Sequence, residues 1–491
     1  MTALQTGAAG APAETSDPAA AAEGNPVFGL EARGFDHIPE AERNMALSSV
    51  GPMWLGVNIN MFSISIGCVS IGLGLTLWQA LAACVVGNLP YACLGLASVG
   101  AARSGLPVTT FSRSVYGVRG NSVHAMLTWA ASVCFEVFNG VFGCLAWLSL
   151  LGLLGFDNRS VAAKLGAVLA QLALSGGIAV LGHATMVFLQ RIFAAVLGAV
   201  FLGVLAWTAP QAASGHLGGG HPPLAGLALA AAFMTGCGVI ASQPVSYLYN
   251  GPDWLRYLPS QTPARPIFHT VFWWTFLPSV ALTGAGALWA SLGDMSDPVA
   301  GLKPLLPPWL YVAFVFTVIA GSVANNVPTF YSSGLALQAA GLRLRRWAAT
   351  CLDIGVSTAA VLYILFVQDL SSVLNAFVSL LVAWSGPYAG VWLADGLARG
   401  WRFDLQEIHP EPGERRRRPT AQAWIAFAAG AALAALTMKS PLYQGPLNRL
   451  LGGMDLSWVL GLTTSAGVYA LLRRRPTSCR TSGRRRRPRP A

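Results

Sequence analysis

The chain has 491 residues, 54% of them hydrophobic and 10% charged, with a mean hydropathy of +0.54; a soluble domain carries about 25% charged residues. That balance excludes an ordinary soluble protein, a disordered chain and a disulfide scaffold. The net charge of +11 does not indicate nucleic acid either, because the basic residues fall in a terminal tail and in short loops, which is a mark of membrane topology.

Residues 1–26 are rich in Ala, Gly, Pro, Ser and Glu without an apolar run, which predicts a disordered tail with no cleavable leader. A pre-helix segment (27–49) follows. Apolar spans then recur near 50–76, 79–101, 124–150, 163–184, 187–208, 223–250, 268–292, 308–340, 348–367, 371–397, 420–438 and 455–472. Each is too long for a strand and too apolar for a soluble amphipathic helix, and backbone satisfaction in lipid makes them helices. With both termini in the cytoplasm and twelve alternating helices, all but five of the 31 Lys and Arg lie inside; the five are Arg159, Lys164, Lys303, Lys439 and Arg449. The prediction is an all-α, multi-pass protein of the plasma membrane, with a basic cytoplasmic loop (398–419), helices 11 and 12 (420–472) and a basic tail (473–491). The run Arg484–Arg487 in that tail reads as a topology anchor that attracts anionic lipid. Eight cysteines and seven histidines show no metal-type spacing, and no nucleophile–base pair or phosphate-cradling loop stands out. The sequence therefore predicts no enzyme, no cofactor and no nucleic-acid partner, and it leaves the oligomeric state open.

Polar groups interrupt four spans. Span 1 carries Asn58, Asn60, Ser63 and Ser65 between glycines; span 6 carries Gly236, Gly238, Gln243 and Pro244, then Ser246 and Tyr247. Small residues alone would serve helix packing, but mid-span amides point to a solute site on two discontinuous helices, with Gly236, Gly238 and Pro244 as the break in span 6. Lying five helices apart, the two interruptions fit two five-helix repeats of opposite topology, 50–208 and 223–397. Span 3 places Phe135, Glu136 and Asn139 on one face. A mid-membrane acid is costly, so Glu136 is either a neutral hydrogen-bonding group between helices or a proton carrier. Span 8 offers Asn325 and Thr329 one turn apart, with Pro328 freeing a carbonyl. Asp353 in span 9 reads as a salt-bridge partner of the Arg343–Arg346 loop.

Together these residues resemble the nucleobase–cation symporter-1 family, in its purine–cytosine permease branch. The segment from Val27 through Glu31, Arg33, Gly34, Asp36 and Pro39 to Arg43 is similar to that branch's E-x-R-G-I-D-x-(V/I)-P-x-x-x-R signature. Pro252-Asp253-Trp254-Leu255-Arg256-Tyr257-Leu258-Pro259 resembles its S/P-D-Y-x-R-Y-L-P segment, and Pro387 to Asp395 its P-x-x-G-V-x-x-x-D pattern. The resemblance covers about residues 27 to 410.

It implies a five-plus-five inverted-repeat (LeuT-like) fold with two peripheral helices, and uptake of a nucleobase or related heterocycle with H⁺ or Na⁺. Carried over by position, the helix-3 aromatic falls on Phe135 and the helix-3 amide on Asn139. The helix-6 aromatic falls on Tyr247, with Gln243 as the alternative, and the helix-8 pair on Asn325 and Thr329. Phe135 and Tyr247 stand where Trp is usual, and Thr329 where Asn is common. Asn58 and Ser63 complete the expected substrate set. Stacking on two rings and bidentate pairing to an amide suit a flat, polar-rimmed solute. Sodium-coupled relatives use helix-1 carbonyls and two adjacent helix-8 hydroxyls; here those helix-8 positions are Val323 and Ala324, which offer no side-chain oxygen to a hard cation. A proton carried by Glu136 is therefore the favoured driving ion, even though Gln190 replaces an acid of the proton-coupled branch. Allantoin, a hydantoin, a B-vitamin or a nucleobase-derived natural product is the alternative cargo, and a membrane-embedded enzyme or sensor the alternative class.

Overall fold

The computed structural model describes Phe28 and residues 34–214, 224–367, 370–408, 421–440 and 443–473. The predicted tail 1–26, Glu31 and Arg33 of the first motif, loop residues 409–419 and the run Arg484–Arg487 lie outside the described residues.

Every predicted span corresponds to a helix. The first is broken into α1a (Val50–Asn58) and α1b (Met61–Gly72), bent by 57°. The second runs as Leu77–Asn88 and Tyr91–Ser104 (α2). There follow α3 (Val118–Leu153), α4 (Val161–Leu181), α5 (His183–Ser214), α6 (Gly226–Tyr247), α7 (Ala264–Leu292) and α8 (Pro308–Ala340). The last four are α9 (Arg346–Val367), α10 (Leu370–Arg399), α11 (Ala421–Thr437) and α12 (Ser457–Leu472). Among the described residues eight helices are long and apolar enough to cross a bilayer, nine with the bent first pair; α11 and α12 are shorter.

Local sequence sets these boundaries. The Asn60 side chain accepts from Ser63 N and restarts the helix as α1b, and Thr76 with Gln79 forms a capping box that opens α2. Gly105 (φ 64°) ends α2 and Gly341 (φ 114°) ends α8 in left-handed geometry.

Two long helices, α3 and α8, lie side by side at the centre, flanked by α4 and α9. On the other side α1b packs along α7, and α5 runs beside α1a and α8. The pair α11 and α12 packs on itself and on α10. The α1b–α7 contact is backbone on backbone. A Cβ on Gly67 would stand 1.9 Å from the Thr283 carbonyl oxygen, and one on Gly286 2.0 Å from that of Ile64.

The expected break in the sixth span is corrected by the structure. Helix α6 runs unbroken through Gly236, Gly238 and Pro244, and α8 likewise through Pro328. Each proline removes one donor and leaves the rest of the helical ladder intact. The glycines provide room for neighbours: a Cβ on Gly238 would meet Trp458 Cδ1 at 2.9 Å, and one on Gly236 would touch Ser70 Oγ. The sixth helix ends instead after Tyr247 and passes into a 3-10 turn at Gly251–Leu255.

Because the α1b–α7 contact has no side-chain layer to deform, Gly286→Leu should destabilise the detergent-solubilised protein by at least about 1–3 kcal/mol. A thermal-unfolding midpoint equal to that of the wild type would contradict this packing.

Candidate solute site

The break in α1 leaves carbonyls without helical partners, and side-chain amides take them up. Asn60 Nδ2 donates to Val57 O (2.9 Å) and Asn58 O (3.2 Å), and Ser63 Oγ donates to Asn58 O (3.2 Å). From α8, Asn325 Nδ2 reaches Val57 O at 3.0 Å. That reach depends on Gly321, where a Cβ would stand 2.4 Å from Ile59 O.

Around this break lies a small buried cavity lined by Asn60, Phe62, Phe135, Asn139, Gln243, Ser246, Tyr247, Tyr249, Asn250, Asn325 and Thr329. Its free volume, about 10 Å³, is close to what one water needs. The amides close it on themselves. Asn139 Nδ2 donates to Asn325 Oδ1 (2.7 Å) and to Phe135 O (2.9 Å), while Asn325 Nδ2 also donates to Tyr247 Oη (2.9 Å). Thr329 Oγ1 donates back to Asn325 O (2.9 Å). Three buried amide oxygens on the lining, Asn139 Oδ1, Gln243 Oε1 and Asn250 Oδ1, have no donor. Buried acceptors are ordinarily satisfied, so this cavity presents three unmet acceptors to anything that enters it.

Aromatic rings wall the cavity. Phe135 meets Phe62 edge to face at 5.1 Å and Phe377 at 5.2 Å. Tyr247 stacks on Tyr91 at 6.4 Å and meets Trp54 edge to face at 5.3 Å.

Of the residues expected at the site, Phe135, Asn139, Gln243, Tyr247, Asn325 and Thr329 share this one cavity. Asn58 and Ser63 do not line it; they sit behind it. Asn58 Oδ1 accepts from Tyr91 Oη (3.1 Å), and Ser63 Oγ accepts from Gln243 Nε2 (2.8 Å), so both orient Gln243 and the break. Glu136 is fully buried on α3, outside the lining. Asp353 is also corrected: its carboxylate accepts from Trp129 Nε1 (2.7 Å) and from Ser333 Oγ, with no arginine of the Arg343–Arg346 loop on it. Phe62, Tyr249 and Asn250 escaped the sequence reading, and Ser246, read there as part of the interruption of span 6, joins the lining. Asn250 and Tyr249 follow directly on Tyr247, a signal that was available; Phe62 looks like any apolar helix residue.

Next to the break, a side chain from α5 reaches between α1a and α8. Gln190 Nε2 on α5 donates to Ala324 O at 2.5 Å, and a Cβ on Gly56 would meet Gln190 Oε1.

A family model described as permease for cytosine/purines, uracil, thiamine, allantoin matches residues 37–461. The chain belongs to this permease family. YxlA of Bacillus subtilis, named as a purine-cytosine permease, is 24% identical over 460 residues, covering 90% of this chain and 96% of its own. The purine-cytosine permease fcyB of Emericella nidulans is 24% identical over 482 residues, 90% and 88% of the two chains. Among solved structures, MHP1, a nucleobase-cation-symport-1 family transporter in a closed conformation with bromovinylhydantoin bound, superposes with a TM-score of 0.72. It is 18% identical and covers 90% of this chain and 95% of its own. The fold is that of these all-α membrane transporters, and the protein is a permease rather than an enzyme.

The loop motifs of the permease family tie down one end of the bundle. Arg256 donates to Gly34 O (2.7 Å) and Tyr331 Oη (2.6 Å), Thr110 Oγ1 to Phe35 O (3.0 Å) and Arg43 Nε to Ile38 O (2.9 Å). Asp253 Oδ1 accepts from Val108 N at 2.7 Å. Burial pushes the Asp253 carboxyl up to about 7, against the lowering by the Val108 amide, the Arg256 charge and Ser332.

Two outcomes are expected. Asn139→Ala should leave the protein in the membrane and cut uptake about ten- to a hundredfold, because it strips a partner from Asn325; uptake at the wild-type level would refute the site. A carboxyl whose folded value lies above its ordinary value of 3.8 stabilises the fold below that value, and the gain fades as pH rises through about 7. Asp253→Asn, which keeps the acceptor, should therefore lose less thermal stability than the wild type between pH 5.5 and 8.

Proposed function

We propose that this permease imports a nucleobase-like heterocycle (cytosine, a purine or a close relative) across the plasma membrane together with a proton. Its twelve crossing helices would comprise inverted repeats 50–208 and 223–397 and two peripheral helices, with both termini cytoplasmic. The observation that carries the reading is the trio of donor-less amide oxygens on Asn139, Gln243 and Asn250, residues that line one cavity with the rings of Phe135 and Tyr247. A nucleobase brings what this cavity lacks: a flat apolar face for the rings and N–H groups around its rim. An entering solute would take over the Asn139–Asn325 hydrogen bond, freeing a donor on Asn139 Nδ2 and an acceptor on Asn325 Oδ1 beside the open Asn139 Oδ1. A site built this way rejects analogues that leave its buried groups unpaired. The names of the curated relatives and the hydantoin held by MHP1 support the same solute class.

The narrow cavity, with about 10 Å³ of free volume among buried side chains, supports alternating access, with α1, α2, α6 and α7 rocking against α3, α4, α8 and α9. Proton coupling is favoured over sodium because Val323 and Ala324 bring no side-chain oxygen, the Ala324 carbonyl is occupied by Gln190 and the Val57 carbonyl by Asn325. A related cargo on the same fold, such as allantoin, a hydantoin or a B-vitamin, is the second reading. It is favoured by Thr329, whose hydroxyl cannot pair bidentately.

Competition uptake in whole cells tests this. Radiolabelled cytosine and hypoxanthine are offered with and without Na⁺ and with an uncoupler, against unlabelled allantoin, hydantoin and thiamine. Uptake of either base that survives sodium removal and collapses with the uncoupler is expected. Uptake that needs sodium and ignores the uncoupler overturns the proton reading, and competition by allantoin alone overturns the nucleobase.

A further inference from the structure

Behind the cavity, between α3, α8 and α9, two acids are buried together with no exposed surface: Glu136 and Asp353. Ser357, which donates to Glu136, stands one turn along α9 from Asp353, so both carboxyls sit against the same face of that helix. Ser357 Oγ donates to Glu136 Oε2 at 2.6 Å, and Asp353 accepts from Trp129 and Ser333. Glu136 Oε1 has no donor. Ionised carboxylates only accept, and two of them buried side by side call for a proton, which the donor-less Glu136 Oε1 is the atom left to carry. Cys134 on α3 and Tyr249 after α6 are titratable neighbours of Glu136; the cations on the helices packed against the pair include Arg346 at the start of α9 and Lys164 on α4. Arg346 is directed to the Ala179 and Val180 carbonyls and the Tyr331 ring, and Lys164 to Leu365 O. Among the described residues, neither acid forms an ion pair.

A second observation gives this pair a route. His124, Thr128, Ser132 and Glu136 succeed one another at four-residue spacing along α3, one helical turn apart. All four are buried, and His124 Nε2, Thr128 Oγ1, Ser132 Oγ and Glu136 Oε1 all lack a hydrogen-bond partner. Trp384 Nε1 donates to His124 Nδ1 at 3.2 Å, which places the proton of a neutral ring on Nε2. One such orphan is uncommon; four at successive turns mark a line of unmet polar groups winding along α3.

We propose that Glu136 and Asp353 form one proton-binding unit, and that His124, Thr128 and Ser132 are the column through which its proton reaches the α3 N-terminal end. This deepens the proton-coupled reading above and rests on it. With one proton the pair keeps a net charge of −1; a second proton makes it neutral, and release restores −1. Sealing a net charge away from water costs several kcal/mol, so closure of the transporter favours the neutral, loaded pair. The pair is tied to the solute site by backbone and amide: Asn326 Nδ2 donates to Glu136 O at 2.9 Å, and its neighbour Asn325 holds Asn139.

Two measurements test this. In infrared spectra of the reconstituted protein, the wild type should show the carbonyl stretch of a hydrogen-bonded carboxylic acid that shifts in D₂O. Glu136→Gln should remove that band, and Asp353→Asn should move it; a band indifferent to Asp353→Asn overturns the shared proton. In proteoliposomes, radiolabelled hypoxanthine or cytosine is followed, whichever the wild type takes up. Both variants should exchange solute within about twofold of wild type, yet lose pH-gradient-driven accumulation by at least about tenfold. Ser132→Ala should slow that accumulation while leaving exchange unchanged; a rate equal to wild type removes the column. Variants that accumulate like a wild type that is itself stopped by an uncoupler overturn the pair alone. A wild type driven by sodium and indifferent to the uncoupler overturns the proton reading and the pair with it.

Discussion

A helix that breaks inside a bilayer strands backbone groups where no solvent can satisfy them, and the centre of this permease is organised around meeting that demand. The Val57 and Asn58 carbonyls, freed by the break at Ile59–Asn60, are taken by Asn60, by Ser63 and, across the bundle, by Asn325. Asn325 thus belongs to two systems at once, since it also holds Asn139 and Tyr247. The groups that stabilise the break are the groups a solute would have to engage. Opening the break and binding cargo are therefore alternative uses of the same few hydrogen bonds.

Satisfaction is incomplete in a patterned way. Asn139, Gln243 and Asn250 each keep an oxygen without a donor on the cavity side, and α3 keeps a second set of orphans on its other polar edge. An anchoring helix would have no reason for either set. The first faces the space between aromatic rings and suits a planar, hydrogen-bearing guest. The second runs along the helix toward two acids and suits nothing larger than water and protons. One helix, α3, thus carries both chemistries, with Asn139 and Glu136 three residues apart.

Much of this was legible in the sequence for a specific reason. Amides and acids are so costly in lipid that Asn58, Asn139, Glu136 and Asn325 stand out against an apolar background without any structure. Asn139 and Asn325 meet at one cavity, with Phe135 and Tyr247 on the same lining as the resemblance to the permease family implied, while Asn58 and Glu136 lie outside it. What failed was inference from backbone chemistry alone. Gly236, Gly238 and Pro244 looked like a break, but the same residues equally permit a neighbouring helix to come close, and only the position of Trp458 decides between the two. Asp353 looked paired with the Arg343–Arg346 loop because that loop is near in sequence. Its actual partners, Ser333 and Trp129, come from other helices. The role of Gln190 was hidden likewise, since its contact at Ala324 joins residues 134 positions apart.

The glycine contact between α1b and α7 carries a mechanical implication. Two helices whose backbones touch cannot shear past one another without collision, so α1b and α7 constitute a single stiff strut. Whatever tilts one carries the other, and the flexible joint nearest the cargo is left at Ile59–Asn60. In the alternating access proposed for this permease, the half of the molecule that contains this strut would swing on the joint as a lever, its pivot set beside the solute cavity.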